Sequence, residues 1–247
     1  MRKHACMLFR LVGLFLLIPL VGRGQESGPL FTIDFPAEEF IQRRQKIYET
    51  IGTEAVALVQ GAPSPSGYVR FRQSNEFYYV CGIESPQAYV LMDGSSKRTS
   101  LYLPHRNSGR ERSEGKVLSA EDDELIRQLA GVDAVFGIEL LSEHLGRFAR
   151  GSTIRTIYVP HQPSEGFATS RDLAVRYNTD VNADPWDGGT SRESRFLELL
   201  ESRFPQFEIE DLSPILDGLR LIKSPREVSL IRKATRLSGL ALIEGME

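Results

Sequence analysis

The sequence predicts an α/β chain built on a mixed β-sheet flanked by helices, and three observations predict it. Residues 88–92 and 99–103 are short β-prone runs joined by a turn at Asp93-Gly94, the pattern of an antiparallel meander. From Ala120 onward the order becomes helix, strand, helix, strand, which favours helices covering the sheet. Residues 77–81, Phe-Tyr-Tyr-Val-Cys, are aromatic, β-branched or apolar without a break, and predict a strand buried on both faces.

The elements follow in order. Arg2, Lys3 and Arg10 precede the apolar run 11–21, and Gly22-Arg23-Gly24 offers a small-x-small cleavage site, so residues 1–24 read as a secretory signal peptide. The run is too short to span a bilayer comfortably, so no stable membrane span is expected once it is removed. The alternative is an uncleaved anchor; with cleavage, the protein is secreted or periplasmic.

Residues 36–51 read as a helix with Pro36 in its first turn. Glu38 and Glu39 lie near the positive end of the helix dipole, and Arg43, Arg44 and Lys46 lie further along. Phe40, Ile41, Ile47, Tyr48 and Ile51 share one face, and Gly52 ends the helix. Residues 55–59 are a continuous apolar strand, followed by a Gly/Pro/Ser loop at 61–67. Arg72, Gln73 and Asn75 stand just before the 77–81 run, so their side chains are expected at one end of the sheet, where such folds keep polar groups. Residues 106–116 mix charges of both signs and read as a solvated loop.

Ser119 with Asp122 gives a capping box that opens a helix over Leu125, Ile126 and Leu129, ended by Gly131. Residues 134–137 form a strand, Leu141, Leu145 and Phe148 a helical stripe closed by Gly151, and 154–159 another strand. Residues 160–189 give no clear pattern, and Trp186 within them is expected to plug an edge of the core. Thr190 and Glu193 then cap a helix carrying Phe196, Leu197 and Leu200, which Pro205 terminates. At Ser224-Pro225-Arg226-Glu227 the start signals are complete: Ser as N-cap, Pro at the first position, Glu at the third. The apolar positions of that last helix, Val228, Ile231, Leu237 and Leu242, have no later segment to pack against.

Charge and cysteine narrow the function classes. The formal net charge is −3; residues 1–24 hold four basic residues and no acidic one, so the remainder carries −7. Nucleic-acid binding or adhesion to anionic membranes through bulk charge is therefore not expected. Of the two cysteines, Cys6 lies in the leader, which leaves Cys81 as a packing residue inside an apolar run.

Two motifs carry a resemblance. Phe71-Arg72-Gln73-Ser74-Asn75-Glu76-Phe77-Tyr78-Tyr79-Val80-Cys81-Gly82, continued by Glu84-Ser85-Pro86-Gln87-Ala88, resembles the N-terminal domain of the aminopeptidase P family, the Xaa-Pro aminopeptidases. Arg220-Leu221-Ile222-Lys223-Ser224-Pro225-Arg226-Glu227-Val228 with Ile231, Arg232 and Ala234 is similar to the first helix of that family's catalytic "pita-bread" domain. The resemblance implies a creatinase/aminopeptidase P N-terminal-domain-like fold over residues 25–215. It makes residues 216–247 the linker and first helix of a truncated pita-bread domain.

For the parent protein it implies a metallopeptidase, a hydrolase that removes the residue preceding proline. The implied cofactor is manganese, as two divalent ions held by two Asp, one His and two Glu, all beyond the helix that starts at Ser224. That set is not found here: Val228 follows Asp217, and Glu198 follows Asp187, where the second aspartate is required. His105, His144 and His161 lack ligand clusters in the sequence. The chain alone is expected to be catalytically inactive, with no metal or catalytic residues of its own.

By the same resemblance the domain mediates homo-oligomer contacts and borders the cleft for peptide substrates with proline second. Tyr78 would line that cleft, with Arg72 and Asn75 fixing its rim. The residues alone equally allow Tyr78 as a core aromatic and Arg72 paired with a carboxylate inside the domain. A free-standing, non-catalytic association module is the alternative function.

Overall fold

The computed structural model describes residues 34–67, 69–168 and 170–246. The leader at 1–24 lies outside the described residues. A six-stranded sheet runs in the order β4-β3-β2-β1-β5-β6. Its strands are β1 (Ala55–Gln60), β2 (Tyr89–Asp93), β3 (Arg98–Leu103), β4 (Ala134–Gly137), β5 (Thr156–Val159) and β6 (Glu208–Asp211). The β1-β2 and β2-β3 pairs are antiparallel, whereas β1-β5, β3-β4 and β5-β6 are parallel, so the sheet is mixed as predicted. Edge strand β6 reads Glu-Ile-Glu-Asp.

Alternation in β1 divides the core in two. Ala55, Ala57 and Val59 face a layer made by α1 (Ala37–Ile51), α2 (Asn75–Cys81), α4 (Asp123–Ala130) and α8 (Ser213–Leu221). Val56 and Leu58 face the opposite layer, where α5 (Leu141–Ala149) and α7 (Arg192–Arg203) bury Leu141, Leu145 and Leu200. The capping boxes at Ser119 and Ser224 both form; the first opens a 3-10 turn that leads into α4, the second opens α9 (Pro225–Glu244).

Residues 77–81 are a helix and not a strand. The chain is extended at Ser74 (φ −62°, ψ 144°), turns through α2, and stops at Gly82 in the left-handed region (φ 68°) with its N–H donating to the Tyr78 carbonyl. A Cβ at Gly82 would stand 2.2 Å from the Phe40 ring, so glycine is required there by conformation and by packing. Glu76, Phe77, Tyr79, Val80 and Cys81 are all buried. A short helix buried nearly all round lacks a polar stripe, so its composition matches that of a buried strand.

The arginines of α1 also depart from expectation. Arg43 and Arg44 do not sit in solvent serving the helix dipole; Arg44 is only 2 % exposed and Arg43 is buried beside it. Arg44 donates to the Val80 carbonyl at 2.8 Å and to the Gly131 carbonyl, and Arg43 donates to the Tyr79 carbonyl at 3.1 Å. The bonds to Tyr79 and Val80 satisfy carbonyls at the C-terminal end of α2 that the Gly82 cap does not reach, and the bond to Gly131 satisfies one at the end of α4. Burial pulls the Arg44 pKa down, against the opposing pull of Tyr48, Cys81 and Asp133. Ile41, expected on the buried face, is half exposed and lies over Gly131.

Four smaller readings change. The 106–116 segment is exposed as expected but contains a short helix, α3 (Ser108–Glu114), capped by Asn107. The region without pattern holds α6 (Arg171–Ala183), where only Ala174 is buried. Trp186 is 96 % exposed and plugs nothing. Helix α7 is capped by Ser191, which accepts from the Ser194 N–H at 3.0 Å, while Glu193 accepts from the Ser164 N–H instead.

Replacing Arg44 by Met keeps the aliphatic stem and leaves two carbonyls unsatisfied. The expected loss is about 3 kcal/mol, from two charge-assisted hydrogen bonds and the orphaned acceptors. Urea unfolding followed by circular dichroism would measure it, and a loss below about 1 kcal/mol would sink the assigned role.

Candidate functional site

Helix α2 carries the candidate rim. Asn75 opens it and Tyr78 stands three residues later, on the same helix face and half-buried like Asn75. The Tyr78 ring meets Phe40 edge-on, centroids 6.4 Å apart at 88°. Arg72 is exposed, separated from the helix by the buried Gln73 and Ser74, without an ion pair among the described residues. The structure thus brings Asn75 and Tyr78 together and leaves Arg72 in solvent, so the internal carboxylate partner considered for Arg72 is absent among the described residues.

Gln73, between them, is structural. Its Oε1 accepts from the Ala62 N–H at 2.6 Å and the Ser74 N–H at 3.0 Å, and its Nε2 donates to the Ser85 carbonyl at 2.9 Å. One amide thereby joins the exit of β1 to the entrance of β2 and fixes the approach to α2. Cys81 is buried, its Sγ 3.3 Å from the Phe77 carbonyl, and burial pushes its thiol up to about 12. Such a thiol is a packing group and not a nucleophile.

The sequence did not signal the charged network at the other end of α2. Glu76 is buried and accepts from Arg171 of α6 and, at 3.1 Å, from Arg220 of α8. Arg171 also donates to Asp217 at 2.6 Å. A carboxylate in the first helical turn suits the positive end of the dipole. From the other side Arg43 reaches Glu227 at 3.2 Å, with its guanidinium 4.3 Å from the Tyr79 ring centroid and 4.7 Å from that of Phe35. Glu227 is the capping residue of α9, so the start of that helix is pinned to α1.

Among the described residues no group of three or more His, Cys, Asp or Glu is arranged to hold a metal ion. The nearest approach is His105, with Nδ1 2.6 Å from Glu121 and Nε2 3.2 Å from Glu139. Both ring nitrogens therefore face carboxylates, the arrangement of an imidazolium donor, whereas a metal needs a free ring lone pair. The Glu121 contact, then Glu139, raises the His105 pKa above its ordinary 6.5, and His105 in turn holds Glu121 down at about 2. His144 instead bonds the Tyr102 hydroxyl at 2.7 Å, and burial lowers its pKa.

The signs of these shifts set a pH window. A raised histidine pKa stabilises the fold below the unfolded value and is lost as pH rises through the folded one. A depressed carboxylate stabilises above its unfolded value, 4.5, and is lost as pH falls toward about 2. Proton NMR of the His105 ring should give a midpoint above 6.5, and Glu121→Gln should move it down. An unchanged midpoint in that variant would remove the pairing.

With this geometry in place, residues 40–158 match the family model described as "Aminopeptidase P, N-terminal domain". The chain is 23% identical over 220 residues to Xaa-Pro aminopeptidase 3 of Dictyostelium discoideum, covering 85% of this chain and 36% of the relative. It is 23% identical over 218 residues to Xaa-Pro aminopeptidase of Haemophilus influenzae, covering 86% and 43%. Its fold is similar to that of aminopeptidase P from Escherichia coli, solved with the inhibitor Pro-Leu. That match has a TM-score of 0.59 and 21% identity, and covers 84% of this chain and 44% of that one. The chain therefore spans less than half the length of these relatives.

Proposed function

We propose that this chain, which carries the N-terminal domain of the aminopeptidase P family, is the amino-terminal portion of an exported, metal-dependent Xaa-Pro aminopeptidase. In that reading residues 25–215 form the accessory domain. The transition then runs through α8, whose Leu216 is still buried in the core, into the first helix of the catalytic domain at residues 216–247. One observation carries it. Helix α9 opens with a complete capping box and a proline at its first position, yet none of its residues is buried, and Ile231, Leu237, Leu240, Leu242 and Ile243 are exposed. A long amphipathic helix gains its stability from packing of its apolar face, so this one is the opening of a further unit.

Two manganese ions are the proposed cofactor of the parent protein. The described residues do not fit that pair: they offer no cluster of the required oxygen and imidazole ligands, and His105 has both nitrogens engaged. The domain's own part is positional, with Tyr78 and Asn75 on the outward stripe of α2, and Arg72 ahead of it, bordering the substrate cleft. The same domain is proposed to carry subunit contacts. A reading frame that continues past Glu247 and encodes two Asp, one His and two Glu in family order supports the proposal. A stop codon there would favour a free-standing association module.

Two activity tests follow. The purified 247-residue chain with manganese is expected to release no amino acid from a peptide beginning Xaa-Pro; measurable release would overturn its assignment as an accessory portion. In the full-length parent, Tyr78→Ala is expected to raise KM for Xaa-Pro peptides several-fold, about 1 kcal/mol of lost contact. Unchanged KM and kcat would take Tyr78 out of the cleft.

A further inference from the structure

On the face of the sheet away from α2, the side chains of β2, β3 and β4 line up in rows set by the strand register. The first row, Tyr89, Tyr102 and Phe136, is covered. Phe196 of α7 meets Tyr89 with ring centroids 5.6 Å apart, and His144 of α5 meets Phe136 at 4.7 Å. The second row is Leu91, Ser100 and Ala134, so two of its three side chains are small. Small residues beside a row roofed by rings leave a hollow. An open cavity of about 520 Å³ stands there, within the size range of small-molecule sites.

Its wall and its rim differ in character. Phe136, His144 and Phe148 give the wall ring surface, and the Tyr102 hydroxyl fixes the His144 ring through a 2.7 Å bond to Nδ1. Burial lowers the His144 pKa, so this wall is uncharged at neutral pH. The rim is the third row, Asp93 opposite Arg98, joined by Arg147 of α5. Opposite charges in facing positions of two strands ordinarily pair, but Asp93 is committed to its own turn. Its Oδ1 accepts from the Ser95 N–H at 2.9 Å and its Oδ2 from the Ser96 hydroxyl at 2.6 Å. Arg98 is left exposed, with no hydrogen bond or ion pair among the described residues, while Arg147 gives one terminal nitrogen to Glu143. Ring surface alone would suit a cation. Two guanidinium groups at the rim repel one and favour a carboxylate.

We propose that this cavity binds a small aromatic carboxylate, its ring seated over Leu91, Ser100 and Ala134 against Phe136 and Phe148, and its carboxylate on Arg98 and Arg147. The site lies on the opposite face of the sheet from α2 and uses no residue of α9. It therefore does not rest on the peptidase reading.

Isothermal titration of the 247-residue chain with hydrocinnamate, hydrocinnamamide and hexanoate tests the proposal. Hydrocinnamate should bind saturably. The amide, which keeps the ring and loses the charge, should bind about tenfold more weakly, and hexanoate, which keeps the charge and loses the ring, should also bind more weakly. Arg98→Gln should weaken hydrocinnamate by about tenfold without lowering the melting temperature, since that side chain has no partner in the fold. Ala134→Leu fills the floor of the cavity and should abolish binding; should that variant fail to fold, Arg98→Gln alone decides. No saturable binding of hydrocinnamate, equal affinity for the acid and its amide, hexanoate binding as tightly as hydrocinnamate, or wild-type affinity in either folded variant would each overturn the assignment.

Discussion

The pair of guanidinium groups on α1 is the constraint on which the rest of the domain hangs. Helix α2 is only seven residues long and ends against the interior, where water cannot reach its last carbonyls. Arg43 and Arg44 reach the Tyr79 and Val80 carbonyls from the neighbouring helix, and only then can Phe77, Val80 and Cys81 be buried without orphaned backbone groups. At the opposite end Glu76 meets two more arginines. The short helix is thus held by a carboxylate at its positive pole and by cations at its negative pole. Its orientation, and with it the outward stripe of Asn75 and Tyr78, follows from those charges more than from any helical propensity of its own.

What the sequence discloses here depends on how local each interaction is. The capping boxes at Ser119 and Ser224 were legible because donor and acceptor lie three residues apart. The strands β1 to β5 were legible from apolar runs and turn residues, whereas the acidic β6 has no apolar run and was not anticipated. Helix α2 was misread because five apolar residues in a row have no period to distinguish helix from strand. Arg43 and Arg44 did leave a signal: they stand three and four residues after Phe40, on the side of α1 that also carries Ile47, so a polar group at a core position was visible.

The candidate site was legible only in part. Arg72, Asn75 and Tyr78 could be located along the chain, but which of them share a surface depends on α2 being helical. The partners of Glu76 are 95 and 144 residues away, and no local pattern announces such contacts. Trp186 shows the converse: its size suggests burial, but burial is decided by what the fold brings near, and among the described residues it is left 96 % exposed.

The acidic edge strand β6 has a bearing on assembly. Glu208, Glu210 and Asp211 occupy three of its four positions, so a strand arriving from another molecule would add its peptide groups beside a ladder of like charges. A flat, uncharged edge invites continuation of the sheet from one molecule into the next; this one discourages it. Copies of the domain that meet are thereby directed toward side-chain surfaces, where shape and sequence can discriminate between partners, and away from backbone pairing, which any extended chain can offer.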